Sequence, residues 1–259
     1  MKFKRLFTFG CSFTNSHLPT WSNIMSWDLG IPTQNWGLAG TGNVAIFHRM
    51  LECDIRNKFN EDDLILVVWS SWSREDRYTG NSWQQGGGIF SNPMYGEEYM
   101  KKYWSFSNDI IKNSTAIISA NKMFNIQFQG HILPIYEPEL PESHALEFTP
   151  EEKQIFKLYE SFIPKDNVFM YEKYTEYSKL LRDYHPNLLD HLKYTKEVIY
   201  KSLNFTIKKE TEDLCHDLHN EFFELIRENE SCTTDEKLLR IREVLVNKNL
   251  TNRNFLSAL

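Results

Sequence analysis

The sequence predicts an α/β protein: a three-layer α/β/α sandwich around a central parallel sheet, followed by a C-terminal helical appendage. Two observations predict the sandwich. Short strand-like runs alternate with helix-spaced segments, and those runs are continuously apolar, as expected where both faces of a sheet are covered. A third observation predicts the appendage. From about Asn204 onward Glu and Lys dominate while Gly, Pro and Trp are absent. The chain therefore divides into an α/β domain over 1–203 and a helical extension over 204–259.

Arg5 to Gly10 reads as a short buried strand, Leu-Phe-Thr-Phe between basic residues and a glycine stop. Ile24 to Leu29 belongs to a first helix, a turn covers Gly30 to Thr33, and a second strand ends near Asn35 and Trp36. Gly37, Gly40 and Gly42 punctuate the next loop. Ala45 to Phe59 has helical spacing, with Ile46, Met50 and Ile55 placed inward. Asp62 and Asp63 introduce Leu64 to Trp69, the clearest buried strand. Tyr78 to Tyr95, rich in Gly, Asn and aromatics, reads as a long surface loop, Glu97 to Phe124 as a helix, and Asn125 to Leu133 as the next strand. Pro134 to Pro150 is a loop or insertion whose end, Thr149-Pro150-Glu151-Glu152, resembles a helix start. Asp166 to Tyr171 reads as the last strand and Leu188 to Leu203 as the closing helix. Phe222, Leu225 and Ile226, then Leu238, Leu239, Ile241 and Leu245, suit two amphipathic helices.

Composition narrows the partners. At 41% hydrophobic and 25% charged, the 259 residues can bury a core and are not a disordered chain. A formal charge of −6 argues against broad contact with a phosphate backbone, so nucleic acid is not an expected partner. The four cysteines, Cys11, Cys53, Cys215 and Cys232, show no CxxC pairing and read as reduced thiols. The short apolar stretch near the N-terminus lacks a small-residue cleavage site, and Leu64 to Trp69 is far too short to span a bilayer. The expected location is the cytoplasm, with no membrane partner. Cys215, His216 and His219 leave third and fourth metal ligands unplaced, so a polar helix face is the expectation and no metal is assigned.

Three separated segments carry chemistry. Phe9-Gly10-Cys11-Ser12-Phe13-Thr14 lies at the carboxyl end of the first strand, the edge where ligands bind in open parallel sheets. A serine there can expose its hydroxyl and aim its own backbone N–H at a developing oxyanion. The second segment, Asn35 to Asn43 with Gly37, Gly40 and Gly42, lets backbone N–H groups approach a ligand, a tight turn being the plain alternative. Its glycines do not match the GxGxxG dinucleotide fingerprint, so no cofactor is implied. The third, Asp183-Tyr184-His185-Pro186, offers a histidine able to take the Ser12 proton and a carboxylate able to fix its tautomer, with Pro186 suited to the first turn of the following helix.

In this order the segments resemble the SGNH (GDSL-like) hydrolase superfamily, whose fold is a flavodoxin-like α/β/α sandwich; the run Phe7 to Thr14 also looks like uncharacterised SGNH-like proteins of marine bacteriophages. The resemblance spans about residues 5–200. It implies Ser12 as nucleophile, His185 as base, Asp183 as the carboxylate and Gly40 as an oxyanion-hole glycine. Three departures stand out. Cys11 replaces the family's aspartate before the serine, and Asp183 is two residues before the histidine where the family commonly has three, Arg182 standing there instead. After the third strand the family's Gly-x-Asn-Asp is replaced by Ser70-Ser71-Trp72-Ser73-Arg74. Ser71, Ser73 or Asn43 are candidates for the missing oxyanion donor, whose loss costs roughly 100- to 1,000-fold in rate.

Trp36, Trp69 and Trp72 should sit near this edge, either stacking on a substrate or packing the rim. Arg74 and Arg77 either clamp an anionic group or pair with Glu75 and Asp76. The resulting expectation is an ester hydrolase acting on an O-acyl group, a glycan ester among the substrates, without a cofactor. An acyltransferase to a sugar or modified-nucleotide hydroxyl and a catalytically silent binding protein are the alternatives. A homo-oligomer contact or a lid are the roles open to the C-terminal helices.

Overall fold

A computed structural model describes residues 2–80, 82–83, 96–132, 149–163, 165–251 and 255–257. β1 (Arg5–Gly10) lies inside the sheet, bonded in parallel to β3 (Asp63–Trp69) from Arg5↔Asp63 to Gly10↔Val68 and to β2 (Thr33–Asn35) from Leu6↔Thr33 to Thr8↔Asn35. β4 (Phe128–His131) joins β3, and β5 (Phe255–Ser257) joins β2, again in parallel, so the order is β4-β3-β1-β2-β5. The two-residue period of a strand sorts the side chains into two cores. Leu6, Leu64, Leu66, Val68 and Phe128 enter one apolar cluster, while Phe7, Phe9, Ile65, Val67 and Trp69 enter the other. β3 is buried along its whole length, which is why its sequence has no polar alternate.

Helices cover both faces. α2 (Asn43–Asn57), α4 (Phe106–Met123) and α5 (Pro150–Phe162) pack on the Phe7 side. α1 (Trp21–Leu29), α6 (Glu176–Leu181) and α7 (Leu188–Tyr194) pack on the Leu6 side. α7 runs on through a π-helical stretch (Thr195–Tyr200) into α8 (Lys201–Leu203), so the expected closing helix is one continuous helical path with a π segment inside it. α1 ends at Gly30, whose φ of 65° favours glycine and whose N–H reaches Ser26 O.

The C-terminal helices belong to the Leu6-side layer. α9 (Lys209–Glu228) buries Cys215, Leu218, Phe222 and Ile226, and α10 (Thr234–Asn247) buries Ile241 and Leu245, all in the cluster that holds Leu6 and Val68. Asp28 of α1 binds this region to the sandwich. Its carboxylate accepts from Tyr200 Oη at 2.7 Å and from the Lys208 N–H at 2.8 Å, and Trp27 Nε1 donates to Leu250 O at 3.3 Å. No helix among the described residues is long and apolar enough to cross a membrane.

Four local expectations change. Ile46 and Met50 are buried as expected, but Ile55 is 77% exposed. Nine residues beyond Ile46 is about two and a half turns, the opposite side of the helix, and Cys53 takes the third inward place. The segment Glu97 to Phe124 is two helices, α3 (Glu97–Tyr103) and α4, because Trp104 and Ser105 are extended and the Ser105 side chain accepts from the Asn108 N–H. The strand expected over Asp166 to Tyr171 contracts to a single bridge, Val168 to His131, after a 3₁₀ turn at Lys165–Asn167. There Asn167 Nδ2 donates to Gln129 O at 2.7 Å, a side chain taking over what a strand's backbone would supply. Within the Tyr78 to Tyr95 loop, Tyr78–Thr79 and Ser82–Trp83 form a small antiparallel ladder; 84–95, like 134–148 of the Pro134 to Pro150 segment and 133 at the end of the expected Asn125 to Leu133 strand, lies outside the described residues.

Candidate active site

The site is built at the carboxyl end of β1. A Cβ on Gly10 would lie 2.1 Å from Thr14 Oγ1 and 2.7 Å from Val68 O, so only glycine lets the chain turn here against β3. The turn is closed by the N–H groups of Thr14 and Asn15, which both reach Cys11 O, at 2.9 and 3.1 Å. Ser12 is carried inside it, 6% exposed. Cys11 is fully buried, which suits a small apolar side chain at the position where the resembling family has aspartate.

Two asparagines lock this turn to the loop after β2. Asn35 Nδ2 donates to Thr14 O at 2.7 Å while its Oδ1 accepts from the Gly37 N–H at 2.9 Å, and Asn15 Nδ2 donates to Gly37 O at 3.0 Å. A Cβ on Gly37 would meet Asn15 Cβ at 2.9 Å, so the two loops touch through that glycine. Gly40 follows with φ of 76°. Neither its N–H nor that of Ser12 has a hydrogen-bond partner among the described residues. Sequence reading missed Asn15 and Asn35, whose partners are backbone groups that only the fold brings near.

His185 and Asp183 stand on the loop between α6 and α7. Arg182 ends α6 in the left-handed region at φ 57°, and the loop closes at Asn187, whose Oδ1 accepts from the N–H groups of Leu189 and Asp190. Asn187 is the N-cap, so Pro186 precedes the helix and is not in its first turn as expected. Asp183 Oδ1 accepts from both the His185 backbone N–H, at 3.1 Å, and His185 Nδ1, at 2.6 Å. That double contact accommodates the short two-residue spacing. A carboxylate at Nδ1 places the ring proton there and turns the Nε2 lone pair outward; Nε2 lies 3.0 Å from Ser12 Oγ. Phe13 packs edge-on to the imidazole at 5.9 Å and to Tyr171 at 5.5 Å, and Tyr171 Oη donates to Tyr184 O at 3.2 Å, steadying the loop. Burial opposes ionisation of Asp183, but the hydrogen bonds from His185 and the charges of His185 and His17 outweigh it and hold the carboxyl below its ordinary value.

The loop after β3 is tied to the start of α2. Asn43 is 2% exposed and its amide is spent, accepting from Ser70 N at 2.7 Å and donating to Ser70 O and Asn113 Oδ1. It holds this loop in place and is corrected from a candidate oxyanion donor to a structural bracket. Ser71 and Ser73 bond to each other, Oγ to Oγ at 3.0 Å, and remain half-buried. Arg74 donates to Thr41 O at 3.0 Å, and Arg77 to Tyr99 Oη at 2.7 Å. Glu75 pairs with Lys112. Asp76, which sequence reading placed as an arginine partner, caps α2 instead: its oxygens accept from Gly42 N at 2.6 Å and Ala45 N at 3.0 Å. Burial raises its carboxyl above the ordinary range against those two bonds.

Trp36 and Trp69 are buried in the Phe7-side core, and Trp72 packs half-buried against the same cluster. Beside the Ser12 turn a groove of about 550 Å³ opens between Asn15–Pro19 and α10; Ser12 and His185 do not line it. Among the described residues no cluster of three or more His, Cys, Asp or Glu is arranged for a metal; Cys215 is buried and His219 stacks on Tyr177 at 5.2 Å. No family model, curated protein or solved structure matches the chain.

Proposed function

We propose that this protein is a serine-dependent ester hydrolase of the SGNH type. The observation that carries this reading is the continuous contact from Asp183 to His185 at 2.6 Å and from His185 to Ser12 at 3.0 Å, made by residues 173 apart in sequence. Ser12 Oγ attacks the acyl carbonyl carbon while its proton passes to His185 Nε2, and Asp183 stabilises the imidazolium that forms. The oxyanion is received by the N–H groups of Ser12 and Gly40. Collapse breaks the ester C–O bond, and the departing alkoxide takes the proton from Nε2. Water then attacks the acyl-enzyme, giving its proton to the same nitrogen, and the carboxylic acid leaves as Ser12 is reprotonated. The His185 side chain is 41% exposed, which admits that water.

Tyr174 and Tyr184, exposed and 5.5 Å apart on the histidine side of the site, supply an aromatic rim of the kind that stacks on a sugar ring, which favours a glycan ester as substrate. The test is fluorophosphonate labelling read by intact mass. Wild type is expected to gain one adduct that Ser12→Ala and His185→Ala do not gain. A folded wild type that stays unlabelled refutes the reading.

A further inference from the structure

We infer that α10 positions the catalytic loop, through Lys237 and Thr234, so that the C-terminal helices are part of the machinery that holds His185 against Ser12. This rests on the serine-hydrolase reading. Lys237 is 2% exposed, a rare state for lysine. Its Nζ donates to Leu180 O at 2.8 Å and to Glu230 O at 3.1 Å. Thr234 Oγ1 donates to Leu181 O at 3.0 Å. Leu180 and Leu181 are the last two residues of α6, where helix carbonyls have no partner of their own and a cation is favoured by the helix dipole.

The next residues are the ones that matter. Arg182 turns the chain with positive φ, Asp183 N donates to Ser178 O at 3.2 Å, and Asp183 receives the imidazole. The loop is thus pinned at its far end by the Asn187 cap and at its near end by α10. Without the α10 donors the end of α6 must rotate its carbonyls toward water, carrying Asp183 with it. The 2.6 Å contact to His185 has little tolerance for such a shift. Lys237 and Thr234 touch no reacting atom; they are positioning residues.

The experiment compares full-length wild type with Lys237→Met, Thr234→Val and Thr234→Ser. Two readouts are taken: the rate of fluorophosphonate labelling across pH, and the low-field ¹H NMR resonance of the His185 imidazole N–H, assigned by its loss in Asp183→Asn. Lys237→Met is expected to slow labelling by about ten- to a hundredfold, the scale of a small misplacement of a catalytic group, and to broaden or remove the resonance. Thr234→Val slows labelling less, and Thr234→Ser restores it, since the hydroxyl is what bonds Leu181. Where Lys237→Met fails to fold, the Thr234 pair carries the test. Val246→Ser, on the outer face of α10, serves as control and labels as wild type. Labelling and resonance unchanged in both Lys237→Met and Thr234→Val overturn the inference while leaving the hydrolase reading intact. A wild type that shows the resonance but takes no label, with the resonance lost in Lys237→Met, overturns the hydrolase reading and supports the positioning role.

Discussion

Asp183 serves His185 twice with one oxygen, and this small economy decides much of the site. With the carboxylate at Nδ1, the imidazole keeps the tautomer that faces Ser12. Asp183→Asn keeps the shape but offers an amide that no longer stabilises an imidazolium. Labelling by the phosphonate is expected to fall, by as much as about 10⁴-fold, with the fold intact by circular dichroism. Because the folded carboxyl titrates below its ordinary range, its contribution to stability is present above that range and lost as pH falls through the folded value. Gly10 is the second decisive residue. Gly10→Ala drives a methyl into Thr14 Oγ1 and Val68 O, and a loss of about 1–3 kcal/mol is expected by denaturant titration. That Ser12, Asp183 and His185 come together is legible from the order of their segments along the chain, none of which is distinctive alone. Asn43 was misassigned because an amide looks the same in sequence whether it faces a ligand or the Ser70 backbone.

At the scale of elements, the buried strands β1 and β3 are read correctly, whereas the strand expected over Asp166 to Tyr171 is a single bridge and β5, inside the stretch expected to be helical, is missed. β1 and β3 announce themselves by continuous apolar runs, whereas the break between α3 and α4 depends on Ser105 taking a cap. The start of α2 depends on a carboxylate from the next loop but one. Asp76 supplies both acceptors at that helix start, so Asp76→Ala leaves Gly42 and Ala45 without theirs. A loss of about 1–2 kcal/mol is expected, read as a lower Tm. Unchanged Tm would mean that water replaces the cap without cost. No sequence pattern could have found this contact, since the cap lies 34 residues from Gly42 and not three.

For the whole molecule, the C-terminal helices are legible as amphipathic but not as part of the core, because the faces they cover are assembled from α1, α6 and α7 only in the fold. Leu218, Phe222, Ile226, Ile241 and Leu245 are buried against the same layer as Leu6. At about 1.5–3 kcal/mol each, their sum is comparable with the 5–15 kcal/mol by which domains are typically stable. Truncation after Leu203 is therefore expected to yield unfolded or aggregated protein, and a soluble, cooperatively melting fragment would contradict this. Acid sensitivity is also a property of the whole. Burial pushes His131 down to about 4; burial, with the His185 charge, pushes His191 down to about 3. The unfolded chain, with ordinary values near 6.5, takes up protons between about pH 6.5 and 4 that the folded chain refuses. Stability is thus full above that window and falls as pH drops through it, by up to about 1.4 kcal/mol per pH unit for each ring. His191→Gln should flatten the fall of Tm between pH 6.5 and 4.5; an unchanged slope would exclude the histidine as a source.

The route of the chain sets a timetable for synthesis. Ser12 leads His185 by 173 residues, and Trp27 waits for Leu250 across 223. Contacts of such separation form late and close large loops. On a ribosome Ser12 emerges long before His185, and His185 before Thr234 and Lys237, whose side chains bond the carbonyls at the end of α6. A nascent or prematurely terminated chain therefore presents a serine with no partner. The arrangement around Ser12 is thus a late product of synthesis, made only once segments far apart in sequence have all emerged.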